Sequence, residues 1–538
     1  MRAFLRFALL PLLGYIACYF ILSFPLLFSW RTAYFCDTGD GAQMVWNVWW
    51  VKYSLLHLHQ LPWHTNMLFY PGGVSLLLDS LTPINGLIGI ALSGILPPVQ
   101  VYNTLVTLAF SLSGLTAFWL AYDATRAYWP SLAAGYAFAF CSFRFAHAGG
   151  HLHQISSEFM PLFLLFWLML LRKPTPPRAL AAAMTLFLVL LSDHYLFVFC
   201  VLAAVVFAIW QLLHDRAWQR WRNRQSVIAL FVFVIVASCT SGPLLAATLR
   251  ESISQTDTVF HDPQFFSADL TNLFIPGWSW CFHSLTRPIW EPVGSYVETS
   301  VSIGIAVLIA AVAGFACRRR LKFSSAGMWA SGAIVFAAFS LGPTLRIFTI
   351  SITQWMPYRL LETFLPPLKL GGCPARMMVV CELCCAILAA AGLKSLEKLT
   401  SGRQMFLAVI FILAMVLESE PRTQPTLPAT IPRWVEFLRD SPKHGALLDL
   451  LHRSQPLGTY FQTLHQRPMA FGYTSRPNPR AAALDSQIAD FAEHNQFQQL
   501  GKMGFAFIVV GASHAPLQLP IAFQDASACV YQIDPFAR

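Results

Sequence analysis

Two aspartates stand three residues apart in "CDTGDG" at 36–41, and the aromatic run "VWNVWW" follows at 45–50. A carboxylate in a partly desolvated turn can act as general base on a hydroxyl, because burial raises its pKa toward the working pH. A purely local role suits the same residues. Asp40 stands where it could cap a helix starting near Gly41, and Gly39 and Gly41 fit a cap or a tight turn. Asp37 and Asp40 are the candidate catalytic residues, with the choice between them open.

Three further polar clusters interrupt apolar sequence. "RFAHAGGHLHQ" at 144–154 holds three histidines. His147 and His151 have helical i,i+4 spacing, but Gly149 and Gly150 between them disfavour a helix. A loop whose imidazoles bind substrate, through His151, His153 and Gln154, is preferred to a histidine-only metal site, with Arg144 snorkelling beside it. "SDHY" at 192–195 puts Asp193 and His194 between two short apolar runs, at or just below a membrane surface, where ionisable groups are functional candidates. "PPLKLGGCPAR" at 366–376 offers Lys369 and Arg376, charge-assisted donors suited to a lipid phosphate or to interfacial anchoring. Glu382 lies deeper in the same apolar segment and needs a partner. There is no glycine-rich phosphate loop and no zinc spacing, and most of the 12 cysteines sit in apolar runs as small buried thiols. No metal ligand and no certain cofactor follow; a divalent cation is left open.

These groups must be held by a membrane scaffold. Of the 538 residues 56% are hydrophobic and only 12% charged, about half the charged share of a soluble domain. Apolar segments near 8–30, 99–121, 130–145, 156–171, 179–193, 195–212, 227–249, 299–317, 325–341, 376–395 and 404–419 approach the ~20 residues that cross a bilayer. The expected fold class is an all-α polytopic bundle of about eleven transmembrane helices over residues 1–419. The net charge of +10 is no nucleic-acid footprint. Its residues cluster in short loops: Arg172, Lys173 and Arg178; Arg216, Arg220, Arg222 and Arg224; Arg318, Arg319, Arg320 and Lys322; Lys394, Lys398 and Arg403. Such loops stay cytoplasmic, so the N-terminus is expected inside an inner (cytoplasmic) membrane.

That orientation leaves long loops 31–98, 250–298 and 342–375 outside, together with most acidic residues. Within the first loop, 84–97 reads as a helix lying along or dipping into the membrane rather than a span. Residues 43–60 read as an interface helix whose Trp46, Trp49 and Trp50 face the headgroups. After the Pro/Thr-rich linker that begins near 420, residues 420–538 read as a small extracytoplasmic α/β domain. Its strand-like runs are "GALLDLL", "FAFIVVG" and "ACVYQI".

The chain resembles the GT-C superfamily of polytopic glycosyltransferases, which use polyprenyl-linked sugar donors. The likeness rests on the external first loop with "DTGDG", on "WWVKYSLLHLHQLPWHTNMLFYPGG" and "TPINGLIGIALSGILPPVQVYN", and on the turn Gly150-His151. It extends to "LKLGGCPAR", where Lys369 stands at a position more commonly arginine and two glycines intrude. The resemblance implies a bacterial glycosyltransferase that moves a sugar from a polyprenyl-phosphate-linked donor to an extracytoplasmic glycan, lipid or protein, amid membrane lipids and without nucleic acid. It implies Asp40, or else Asp37, as base. Competing readings are a lipid or polysaccharide transporter and an O-antigen ligase or polymerase.

Overall fold

A computed structural model describes residues 1–214, 221, 223–254, 261–365, 368–396, 401–476 and 478–533; the side chains of 254, 369, 370, 401 and 402 are not among them. Of the basic loop residues, Arg216, Arg220, Arg222 and Lys398 lie outside the described residues. Each expected span coincides with a helix, among them Pro98–Thr125, Phe159–Arg172, His194–His214 and Met378–Lys394. Among the described residues 6 helices are long and apolar enough to cross a membrane, and shorter apolar helices include Pro176–Ser192, Ile305–Ala316 and Ala326–Ser340. The chain is a membrane protein.

Several boundaries differ from expectation, among them the end of the segment 130–145, whose helix Tyr128–Ala139 stops at 139. The first helical stretch covers Arg2–Leu22 and stops short of residue 30. Pro25 disfavours helical geometry at Phe24, and a short 3-10 turn, Leu26–Ser29, follows instead. The helix expected from 299 begins only at Ile305, where the Glu418 carboxylate accepts from the Ala306 N–H at 3.1 Å. The helix Pro83–Leu92 is too short to cross and packs on the helix Asp40–Leu56, bringing Gly86 against Val51.

Two of the three tryptophans expected at the headgroups, Trp46 and Trp50, are not headgroup anchors. Trp46 and Trp50 are fully buried, their rings stacked 5.7 Å apart. Their indole N–H groups need partners inside protein. Trp46 Nε1 donates to Gln462 Oε1 at 2.7 Å and Trp50 Nε1 to the Pro62 carbonyl at 2.9 Å. The aromatic run therefore binds protein, namely the helix Pro456–His465 from the far end of the chain.

That far end closes over the first loop. Ala33–Tyr34 pairs antiparallel with Leu427–Pro428. The backbone of Met469 exchanges hydrogen bonds with Tyr70 and Met67 at 2.9 and 2.8 Å. Beyond it lies a four-stranded sheet in the spatial order Ala446–Asp449, Phe505–Gly511, Ala528–Gln532, Ile521–Gln524. Its first pair is parallel and the others antiparallel. The three apolar runs singled out in the sequence are strands of this sheet.

Candidate active site

The two aspartates divide the roles that the sequence left joined. Asp37 Oδ1 accepts from the Gly39 and Gly41 N–H groups, both at 2.9 Å, and so serves the start of the helix Asp40–Leu56. Its own N–H donates to the Gly149 carbonyl at 2.8 Å. Burial pushes the Asp37 carboxyl above its ordinary value, partly offset by the two backbone donors. Capping therefore falls to Asp37, not to Asp40 as the sequence suggested. Gly41 lets the two loops close: a Cβ there would stand 2.5 Å from the Gly149 carbonyl oxygen and 2.6 Å from Cys36 Cβ.

Asp40, in the first turn, is left to face outward. Its side chain is 41% exposed. Oδ1 accepts from the Tyr473 hydroxyl at 2.7 Å, and Oδ2 lies 3.3 Å from His151 Nε2. Burial alone would raise this carboxyl, but His151, Tyr473 and the charge of Arg376 hold it below the usual carboxylate value.

From His151 the contacts run inward. His151 Nδ1 and His147 Nδ1 are 2.7 Å apart, so one ring donates to the other. His147 Nε2 is 3.5 Å from Glu298 Oε2, and burial pushes this imidazole well below its ordinary pKa. Glu298 in turn binds Arg376. The helix Ser142–His147 ends just before the Gly-Gly turn, as the glycines require, and the His151 N–H returns to the His147 carbonyl at 2.9 Å. Donor atoms of His147, His151 and Glu298 all lie within 4.8 Å of one another, a spacing that could hold a divalent cation. As placed, those groups are spent on each other and on Arg376.

Asp40, His151, His153, Asp193, His194 and Arg376 line one cavity of about 450 Å³, a usual size for a small-molecule site. Asp193 falls between the helices Pro176–Ser192 and His194–His214, and its Oδ1 accepts from the Leu196 N–H at 2.8 Å. Gln154 is buried but does not line the cavity, and neither does Asp37. Lys369 sits in the turn Leu368–Gly371, its side chain outside the described residues. Arg144 does not snorkel. It is fully buried and donates to the Ala139 and Ala109 carbonyls at 2.9 Å, fastening the histidine loop from beneath. Glu382 finds its partner in the Cys141 thiol at 2.8 Å.

Sequence reasoning missed Asp79, His261, Tyr473, Ser475 and Arg476, which also line the cavity. Asp79 is buried and accepts from Gln43 Nε2 at 3.1 Å and from the Ser475 N–H at 2.9 Å. Burial and the charges of Arg376 and Arg476 hold His261 below its ordinary value. The one signal for the C-terminal residues was "FGYTSRPNP", an aromatic and an arginine in a turn-rich stretch. Phe197, Val198, Leu245 and Leu249 give the same cavity an apolar wall.

The fold has counterparts among solved structures. The arabinofuranosyltransferase AftD from Mycobacteria superposes with a TM-score of 0.53 at 16% identity, over 94% of this chain and 37% of that one. ArnT from Cupriavidus metallidurans bound to undecaprenyl phosphate superposes with a TM-score of 0.50 at 13% identity, over 97% and 98% of the two chains. The chain shares its fold with these two proteins. Residues 11–417 match the model of a family described as "Domain of unknown function (DUF6311)", and the chain belongs to that family. No curated protein matches the sequence.

Proposed function

We propose that the protein is a glycosyltransferase that moves a sugar from a polyprenyl-phosphate donor to an acceptor hydroxyl on the extracytoplasmic side of the bacterial inner membrane. The observation that carries this reading is that Asp40 and Arg376 line one cavity together with apolar side chains such as Phe197, Val198, Leu245 and Leu249. Asp40 takes the acceptor proton as its oxygen bonds to the anomeric carbon. The bond from that carbon to the donor phosphate breaks, and the lipid phosphate leaves as an anion. Arg376, with Arg476 and Lys369 as further cations, stabilises it; fixed charges aimed where charge develops are worth about 10²-fold in rate each. The apolar wall suits the lipid end of the donor, and His151, His153, Asp193 and His194 border the sugar. The undecaprenyl phosphate bound in the ArnT structure supports this donor class. The orientation rests on the basic loops. The transporter and ligase readings are not favoured by the fold's counterparts, one of which is an arabinofuranosyltransferase.

The test replaces Asp40 and Asp37 singly by Asn and follows incorporation of radiolabelled sugar from the polyprenyl-phosphate-linked pool of membranes. Asp40→Asn is expected to lose transfer and Asp37→Asn to keep most of it. Full transfer by Asp40→Asn removes the base from the mechanism.

A further inference from the structure

We infer that Tyr473, from the C-terminal part of the chain, is a positioning residue for Asp40, which makes that part a component of the reaction site rather than a platform beside it. The inference rests on the reading of Asp40 as the base.

The geometry is specific. Tyr473 reaches Asp40 Oδ1 at 2.7 Å while His151 stands 3.3 Å from Oδ2, so the two carboxylate oxygens are held from opposite ends of the sequence. A half-exposed aspartate without these contacts would turn about its side-chain bonds, and small displacements of a reacting group are costly. Misplacement by about 1 Å lowers rates on the order of 10²-fold.

The register of the contact is fixed at a second point. Gln43 lies one helical turn beyond Asp40, on the same face. Ser475 lies two residues beyond Tyr473 on the covering segment. Ser475 meets that second position: its N–H donates to Asp79 Oδ1 at 2.9 Å, and Asp79 accepts from Gln43 Nε2 at 3.1 Å. The hydroxyls of Ser475 and Ser80 are 3.0 Å apart. Asp40 with Gln43 on the helix thus matches Tyr473 with Ser475 on the covering segment. The buried Asp79 holds the covering segment at this second point, with the tyrosine hydroxyl on the carboxylate that lines the cavity.

Tyr473→Phe removes the hydroxyl alone, and Tyr473→Ala removes the ring as well. Transfer is read as above, and binding is read on the same purified preparations with undecaprenyl phosphate by native mass spectrometry. Both variants are expected to lower transfer about tenfold or more while binding stays within about twofold, the pattern of a group that acts in the transition state. Wild-type transfer by Tyr473→Phe overturns the inference, and so does a loss of binding that parallels the loss of transfer. Asp40→Asn is measured alongside. If it transfers fully, the base reading falls and the inference with it; if it is inactive while Tyr473→Phe is normal, only the inference falls.

Discussion

Arg376 clasps Glu298: its Nε donates to the two carboxylate oxygens at 3.0 and 3.1 Å, and a terminal nitrogen reaches Oε1 at 2.5 Å. Both residues are buried. Burial would raise the Glu298 carboxyl, but the charge of Arg376, with His147 beside it, brings it down to about 2. The cation proposed to meet the donor phosphate is thus held by an anion that fixes its direction.

Removing one partner of a buried pair strands the other. Glu298→Gln should cost about 3–5 kcal/mol, read as a lowered unfolding temperature in detergent. Because the folded value is depressed, the stability from Glu298 is present above the unfolded carboxylate pKa and fades as pH falls toward 2. An unchanged unfolding temperature for Glu298→Gln would show that the pair contributes nothing.

Asp37 should behave as a cap. Asp37→Ala is expected to lose about 1 kcal/mol of stability, whereas Asp37→Asn keeps an acceptor oxygen for Gly39 and Gly41 and loses less. Thermal unfolding of the two variants side by side decides this. Equal losses would assign the effect to charge rather than to capping.

The rate should tolerate acid. Burial opposes ionisation of Asp40, but His151, Tyr473 and Arg376 hold its carboxyl below the ordinary value. The base therefore stays ionised through the ordinary carboxylate range, and transfer should fall only below it. His151→Phe removes one donor and should move the acid limb upward. A wild-type rate already falling above the ordinary carboxylate value would contradict this.

Gly41→Ala should be damaging out of proportion to one methyl group. The new Cβ would meet a carbonyl oxygen and a neighbouring Cβ, neither of them a flexible end, so the aspartate loop and the Gly149–Gly150 turn must part. Loss of transfer together with a lowered unfolding temperature is expected; normal transfer would mean that the loops need not touch.

The bundle was legible because a bilayer demands long apolar runs, and these are local in sequence. The histidine loop, the Asp193 break and Arg376 were legible as polar interruptions of such runs. Two things were not. Composition places tryptophans equally well at headgroups or in a protein core, and only the distant Gln462 decides between them for Trp46. Tyr473 and Ser475 carry no mark that ties them to Asp40 and Gln43, since the pairing is made by chain closure and not by spacing. The capping role passed from Asp40 to Asp37 for a related reason: the Gly149 carbonyl fixes the turn from outside the motif.

The contact between Tyr473 and Asp40 joins positions 433 residues apart. A ribosome adding about 5–20 residues per second needs roughly 20–90 s to bridge that interval. During that time the first loop waits in the membrane without its cover, its carboxylate untethered and its tryptophans without their helix. The contact that orients the proposed base is thereby the last to form, and a chain truncated before Tyr473 would lack it.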